Sequence, residues 1–224
     1  MALSVDYVYK FCLSIIRKNL AGGLTSDDFQ YHWNAAQHAY QDDLLGRFNR
    51  DNNGKAGINT GLIENQTILT KLAPFTKNAT IAFTAGVGPK PSDFKYELGF
   101  RVNGKQVQNI NHSQIASVND SVIDAPSVAN NLYYRSQYGS NYSILPSSVA
   151  SASIDYISVP DNVVWGYTVD GDGRQVYSAG TSTQPVWDNA SAQEITERML
   201  RTLGVAFSSR EMQAFGVDTK NTGS

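Results

Sequence analysis

The sequence predicts an α+β protein in which helices at both ends of the chain flank a β-rich middle. Apolar residues recur at three- and four-residue spacing near both termini, and between them the period changes to that of strands. An Asn-Gly pair at 103–104 also joins two strand-like runs, which is typical of a tight hairpin. We therefore expect one domain over 1–224, divided as follows: helical ends at 1–46 and 189–216, a β-rich insertion at about 60–160, and a polar tail at 217–224.

The first 46 residues predict an antiparallel helical hairpin. Ser4 can cap a first helix over 5–20, and Gly22 and Gly23 end it. Thr25 or Ser26 caps a second helix that ends at Gly46. We expect the apolar stripes of the two helices to bury against each other. The stripes are Val5, Val8, Cys12, Ile15 and Ile16 in the first helix, and Phe29, Trp33, Ala36, Tyr40 and Leu44 in the second.

The middle of the chain predicts strands separated by turns. Residues 47–60 are rich in Asn, Asp and Gly and predict an exposed loop. Residues 112–122 are ambiguous and are compatible with a short helix. The strand candidates are 80–84, 95–102, 105–110, 132–134, 142–145 and 152–157.

The C-terminal part predicts a turn and two helices. Asp170-Gly-Asp-Gly173 is a turn between Tyr167 and Val176. Ser191-Ala-Gln-Glu194 matches a capping box and predicts the start of an amphipathic helix that Gly204 ends. A second cap over 208–211 predicts a short helix ending at Gly216. The amphipathic helix is expected to bury Ile195, Met199 and Leu203.

The composition restricts the class of protein. The net charge is −2 and only 17% of residues are charged, whereas a dedicated nucleic-acid binder carries a basic face. A channel through which DNA merely passes needs no such face. Cys12 is the only cysteine, so an internal disulfide is excluded. No stretch approaches the roughly 18 apolar residues of a membrane span, and we expect neither a signal peptide nor a membrane partner.

No constellation of residues predicts catalysis, and we expect no catalytic, cofactor-binding or metal-binding residue and no enzyme. The run from Asn49 to Gly54 matches half of a calcium loop, but Thr60 stands where a bidentate Glu is needed. His32 and His38 point about 120° apart on one helix and cannot share a metal directly. Gly86-Val-Gly-Pro-Lys90 lacks the spacing and the Ser or Thr of a phosphate loop. A metal at the Asn49 loop stays an open alternative.

The candidate functional residues are interface residues. Large aromatic side chains serve as packing and interface anchors, and the residues around Trp165 and Trp187 are dense in them. The arginines near the C-terminus form either a solvated helix face or ion pairs with an acidic neighbour in an oligomer. The candidates are Trp165, Tyr167, Trp187, Arg198, Arg201 and Lys220.

Several segments resemble virion structural proteins of tailed phages, especially the crAss-like podoviruses of gut Bacteroidota. The likeness covers both ends and much of the second half and is weak over 47–130. The residues that carry it are Met1-Ala-Leu-Ser-Val-Asp-Tyr-Val-Tyr9, Lys18-Asn-Leu-Ala-Gly-Gly23, Asp27-Asp-Phe29, Tyr142-Ser-Ile-Leu-Pro146, Asp155-Tyr156, Val164-Trp-Gly-Tyr167, Val176-Tyr177, Pro185-Val-Trp187, Ile195, Leu203-Gly-Val205 and Lys220-Asn221.

The resemblance implies a non-enzymatic component of the head-to-tail connector. Such ring or adaptor proteins look like a small helical bundle with a β-rich insertion and an extended C-terminal tail, and they typically stack beneath the portal as twelvefold rings. The implied partners are further copies of the chain, the portal and neighbouring connector or tail proteins. Genomic DNA would pass through the channel without sequence-specific binding. The implied location is the virion, after synthesis in the host cytoplasm.

A different class stays open from the residues alone. Exposed Trp and Tyr side chains stack on sugars, so a tail-fibre, capsid-decoration or carbohydrate-binding β module is the alternative. The helical ends argue against it, because a pure binding module rarely needs them.

Overall fold

The computed structural model describes residues 3–19, 23–52, 60–121 and 125–204. The chain divides into two compact units. Unit 1 comprises 1–74 and 160–224, and unit 2 comprises 75–159. The fold is α+β, as the sequence predicts, with helices toward both ends and strands in the middle.

The elements of the described chain are as follows. The helices are α1 (Val5–Asn19), α2 (Ser26–Asn52), α3 (Thr60–Leu72), α4 (Ile115–Asn119) and α5 (Asn189–Thr202). The strands are β1 (Thr76–Ala82), β2 (Val87–Pro89), β3 (Phe94–Val102), β4 (Lys105–Gln106), β5 (Gln108–Asn109), β6 (Tyr134–Tyr138), β7 (Asn141–Leu145), β8 (Ser151–Ser158), β9 (Tyr167–Val169) and β10 (Gln175–Tyr177). Short 3₁₀ turns lie at Ala73–Phe75, His112–Gln114 and Ala179–Thr181.

Helices α1 and α2 begin at the predicted caps. The Ser4 hydroxyl accepts a hydrogen bond from the Asp6 amide (3.3 Å), and the Thr25 hydroxyl accepts one from the Asp28 amide (3.1 Å). Each bond satisfies an N–H that has no partner within the helix. All ten residues of the two predicted stripes are buried. Gly22 lies outside the described residues.

The predicted partner of the α2 stripe is wrong. Within unit 1, α2 packs mainly against α5 and meets α1 only near its start. Trp33 donates its indole N–H to Thr196 (3.3 Å), and the Tyr40 and Ser191 hydroxyls are 3.1 Å apart. Helix α1 meets the start of α2 through the Tyr9 and Phe29 rings. Spacing identifies the buried face of a helix but not which element covers it.

The predicted loop at 47–60 is wrong at 47–52 and at Thr60, and its positions 53–59 lie outside the described residues. The predicted start of the β-rich insertion at about 60 is also wrong. Helix α2 continues through Gly46 to Asn52, and 60–72 form α3, so the first strand begins at Thr76. A single glycine costs a helix only about 1 kcal/mol, which packing outweighs. An ion pair between Arg47 and Asp43 spans the glycine (3.0 Å). The insertion ends at Val159, close to the predicted boundary.

Unit 2 consists of two four-stranded sheets. Their strand orders are β1-β8-β3-β4 and β2-β7-β6-β5. Side chains from both sheets meet in one apolar core, which places that core between them. Its members are Ile81, Phe83, Phe100, Val102, Val107, Tyr133, Tyr142, Ile144, Val149, Ala152, Ile154 and Tyr156.

The predicted Asn-Gly hairpin is present, but its second arm is split. Asn103 and Gly104 have φ angles of 50° and 76°, as a type I′ turn requires, and Val102 pairs with Lys105. The chain leaves β3 at Val107, and β5 then pairs in parallel with β6 in the other sheet. One predicted strand therefore contributes to both sheets.

Helix α5 begins earlier than the predicted capping box. Asp188 is its N-cap residue, and Ser191 lies inside the helix with its hydroxyl against Tyr40. Gly204 adopts a φ of 79° just beyond the helix, as predicted. The predicted helix ending at Gly216 lies outside the described residues. None of the described helices is long and apolar enough to cross a membrane.

Candidate interface residues and a groove in unit 2

Trp165 is a core residue of unit 1. Its ring centroid lies 4.5 Å from that of Tyr9, and its indole N–H donates to the Asp6 carboxylate (3.1 Å). Only 4% of the residue is exposed. This burial leaves almost no surface with which the ring could contact another molecule.

Trp187 is buried more completely, at 1% exposure. Its ring packs edge-on against Tyr40 at 5.2 Å, and its N–H donates to the side-chain oxygen of Gln37 (3.2 Å). The indole thus fixes the segment before α5 onto α2. Because Trp187 contacts other residues of the same chain, its role in the structure is to pack the core of unit 1.

Tyr167 lies on the β9–β10 hairpin, which displays apolar surface. One face of its ring stacks on Trp165 at 5.8 Å, and 39% of the residue is exposed. Val169 is 62% exposed and Val176 is 48% exposed. The predicted turn joins the strands, with the Asp170 carboxylate accepting from the Asp172 and Arg174 amides. The exposed valines make the hairpin the better candidate contact surface of unit 1.

Arg198 and Arg201 lie on the polar face of α5 and are paired within the chain. Arg198 donates to Asp43 (2.8 Å) and to Glu194 (3.0 Å), and Arg201 pairs with Glu197. The hydrogen bond from Arg198 holds the pKa of Asp43 below its ordinary value. Arg201 is the more accessible of the two arginines, with 70% of its side chain exposed.

Lys220 and the motifs at Asn49 and Gly86 are the remaining features considered from the sequence. Lys220 and the tail lie outside the described residues. The described residues contain no group of three potential metal ligands. The Asn49 motif is helical through Asn52, and its following positions 53–59 lie outside the described residues. Gly86 belongs to a tight turn in which the Thr84 and Val87 backbones pair (2.9 and 3.0 Å).

Sequence reasoning missed a buried ion pair in unit 2. Arg135 of β6 pairs with Glu97 of β3, and the Tyr142 hydroxyl donates to the same carboxylate (3.3 Å). The Arg135 and Glu97 side chains are 8% and 15% exposed. The guanidinium carbon lies 5.0 Å from the Phe100 ring centroid. Burial raises the pKa of Glu97, and the Arg135 charge offsets only part of this effect.

This ion pair lies at a groove between the two sheets, which we name the β3–β5 groove. It has a wider part of about 560 Å³ and a narrower part of about 350 Å³ that share Glu97, Asn109 and Arg135. One wall is β3 from Phe94 to Phe100, and the other comprises 106–109 with Gln137. The only sequence signal for this site was an arginine directly after two tyrosines in a strand-like run.

Comparison of the sequence with protein-family models and with curated proteins finds no match.

Proposed function

We propose that the chain is a non-enzymatic structural subunit of the head-to-tail connector of a tailed phage. It would form an oligomeric ring beneath the portal, twelvefold as the resemblance implies, through which the genome passes. The proposed location is the virion, after synthesis in the host cytoplasm. The proposed partners are further copies, the portal and neighbouring connector or tail proteins.

The observation that carries this proposal is the architecture. Both chain ends contribute helices to unit 1, and unit 2 is inserted between them as a separate β-rich unit. The resemblance to connector proteins implies this order of helical ends and β-rich insertion. The architecture therefore supports the proposal through a feature that composition alone does not predict.

Two surface properties agree with a ring subunit. The β9–β10 hairpin and Val186, which is 51% exposed, offer apolar surface that a neighbouring copy could cover. A cyclic ring uses heterologous contacts, in which one face of a subunit meets a different face of the next. The net charge of −2 avoids strong attraction to DNA, which suits a channel through which the genome slides.

Assembly of the purified protein with the portal of the same virus tests the proposal. We expect native mass spectrometry to detect a ring-sized species, and Val169→Asp to reduce it at least tenfold because a charge replaces exposed apolar surface. Val169→Thr is the matched control, since it keeps the shape and adds no charge. A wild-type protein that stays monomeric with the portal present would contradict the proposal.

One observation favours the alternative, a tail-fibre, capsid-decoration or carbohydrate-binding module. Tyr138 is 66% exposed and stacks on His112 at 4.7 Å, which gives unit 2 an accessible aromatic surface of the kind that sugars contact. Binding to a defined glycan on an array, lost in Tyr138→Ala, would favour this alternative. Binding to no glycan would favour the connector.

A further inference from the structure

The β9–β10 hairpin has open edges. The Ser178 amide donates to the Gly166 carbonyl (2.9 Å). The Asp170 amide donates to the Arg174 carbonyl at the other end of the hairpin (3.0 Å). Because the main-chain groups of successive residues in a strand point to opposite sides, those of Val169 point away from β10. In the described chain, no third strand pairs with this edge of β9.

The edge of β9 lacks two features that usually keep an edge strand from pairing with another molecule. Neither β9 nor β10 contains a charged residue or a proline. Val169 is also 62% exposed, so the edge is accessible. A two-stranded ribbon is marginally stable by itself, and a further strand would stabilise it. The hairpin is therefore suited to pairing with a strand of another molecule.

The β3–β5 groove has an unpaired main-chain edge of its own. Ile110 donates its amide to the Arg135 carbonyl (2.9 Å), so the main-chain groups of the preceding Asn109 point away from β6. Val107, two residues before Asn109, donates its amide to the Phe100 carbonyl of β3 (3.1 Å). Asn109 lines both parts of the groove, so its N–H and C=O face the space between β5 and β3. No strand of the described chain pairs with Asn109 on that side.

The wider part of the groove matches a short uncharged strand. Its β3 wall, Glu97–Phe100, spans about 13 Å, and the three residues of β9 extend over about 10 Å. Within the described chain, Glu97 and Arg135 are the only charged residues that line this part, and they pair with each other. A charged side chain brought beside them would lose hydration with no free opposite charge in exchange, and β9 brings none. Leu98 is 37% exposed and offers an apolar contact.

We propose that β9 of one copy of this chain adds as a strand to the β3–β5 groove of a second copy. The main-chain groups of Val169 pair with those of Asn109, and the Val169 side chain contacts Leu98. Strand addition of this type takes its affinity from main-chain hydrogen bonds. The contact joins two different surfaces, so every dimer keeps one free hairpin and one free groove. The proposal rests on the two edges and not on the connector function, although a ring of subunits would use the contact repeatedly.

Two full-length variants test the contact by complementation. Asn109→Pro removes the N–H that faces the groove, and Val169→Pro removes the N–H at the free edge of β9. Each variant alone lacks one half of the contact, so we expect each to stay monomeric in sedimentation equilibrium. An equimolar mixture should form a heterodimer at least tenfold more tightly than either variant binds itself, because the hairpin of Asn109→Pro and the groove of Val169→Pro are intact.

Two results would overturn the proposal. One is a mixture that stays monomeric at about 1 mM, where even a contact with a millimolar Kd is populated. The other is self-association of Asn109→Pro alone, which would show that the hairpin pairs with a second hairpin and not with the groove. Asn109→Ala keeps the N–H and is the matched control, which should associate like the wild type.

A second pair of variants keeps the test valid if proline disturbs the hairpin. Val169→Asp blocks the same edge with a charge and replaces Val169→Pro in a mixture with Asn109→Pro. When Val169→Asp carries the ¹⁵N label, we expect the amide resonances of Leu98, Gly99 and Asn109 to shift on addition of unlabelled Asn109→Pro. Shifts confined to residues outside the groove would contradict the proposal.

The outcome is separable from ring assembly with the portal. A ring that forms with the portal while the two variants fail to complement would overturn this contact and leave the connector function in place. Complementation without a ring would support the contact and count against the connector function.

Discussion

At the scale of single residues, the polar groups of this protein mostly satisfy one another within the chain. The carboxylate of Asp93 accepts hydrogen bonds from Lys77 (2.6 Å) and from the Tyr156 hydroxyl (2.9 Å). The indole N–H groups of Trp165 and Trp187 likewise end on acceptors inside unit 1. The two tryptophans that stand out in the sequence therefore stabilise the fold.

Asp93 should give the protein a measurable loss of stability in acid. The hydrogen bond from Lys77 lowers the pKa of Asp93 in the folded state, so the folded state binds fewer protons than the unfolded one near this pKa. Its contribution is present above the ordinary value of 3.8 and is lost as the pH falls through the folded pKa. We expect Asp93→Asn to cost about 0.5–1 kcal/mol at pH 7, the scale of a partly exposed pair.

Urea unfolding between pH 7 and pH 2.5 measures this effect. The difference between the wild type and Asp93→Asn should shrink toward zero in acid, and Lys77→Met should reproduce most of it. A difference that stays constant with pH would show that the carboxylate charge is not responsible.

Replacement of Trp187 tests its assignment to the core. Trp187→Ala leaves a cavity against Tyr40 and removes the partner of Gln37, so we expect the free energy of unfolding to fall by about 3–5 kcal/mol. The adjacent Val186→Ala, at a half-exposed position, should change it by less than about 0.5 kcal/mol. Thermal and urea unfolding measure both variants, and equal effects would contradict the burial of the indole.

At the scale of elements, packing decides where helices end and what they contact. Helix α2 continues beyond Gly46 to Asn52 although glycine disfavours a helix interior, and the ion pair between Arg47 and Asp43 (3.0 Å) spans the glycine. In unit 2, the strand at 105–109 changes sheets at Val107 because that side chain enters the core. At Val107, the free energy gained by burying apolar surface outweighs the local preference of the sequence for one continuous strand.

The two glycines at helix and turn positions should respond oppositely to alanine. Gly46 lies inside α2 with no described atom within 4 Å of an added Cβ, so Gly46→Ala should stabilise the protein by about 0.5–1 kcal/mol. Gly104 has a φ of 76°, so Gly104→Ala should destabilise it by about 1–2 kcal/mol. Urea unfolding of both variants measures the two changes, and the same sign for both would contradict the assigned conformations.

At the scale of the whole molecule, both ends of the chain contribute to unit 1, and the β-rich unit 2 is inserted between them in the sequence. Unit 1 carries exposed apolar residues on the β9–β10 hairpin, and unit 2 contains the β3–β5 groove. Each of these two features lies within one unit.

Removal of the polar tail tests its proposed part in assembly. Residues 217–224 lack an apolar pattern that would form a core, so we expect their deletion to leave stability unchanged and to weaken ring assembly with the portal. Sedimentation and native mass spectrometry of the truncated and full-length proteins measure this. Unchanged assembly would remove the tail from the proposed interface.

The sequence alone determined the α+β class, the buried faces of α1 and α2, the burial of Ile195 and Met199 in α5, and the Asn-Gly hairpin, whereas Leu203, also expected to be buried, is half-buried just beyond α5. These depend on spacing and turn chemistry, which act between residues close in the chain. Only the tertiary structure decided that α2 faces α5, that Trp165 and Trp187 are core residues, and that Arg135 meets Glu97 beside a groove. These contacts join residues far apart in sequence, and the free energy that selects them comes from burial in the assembled fold, which no local pattern records.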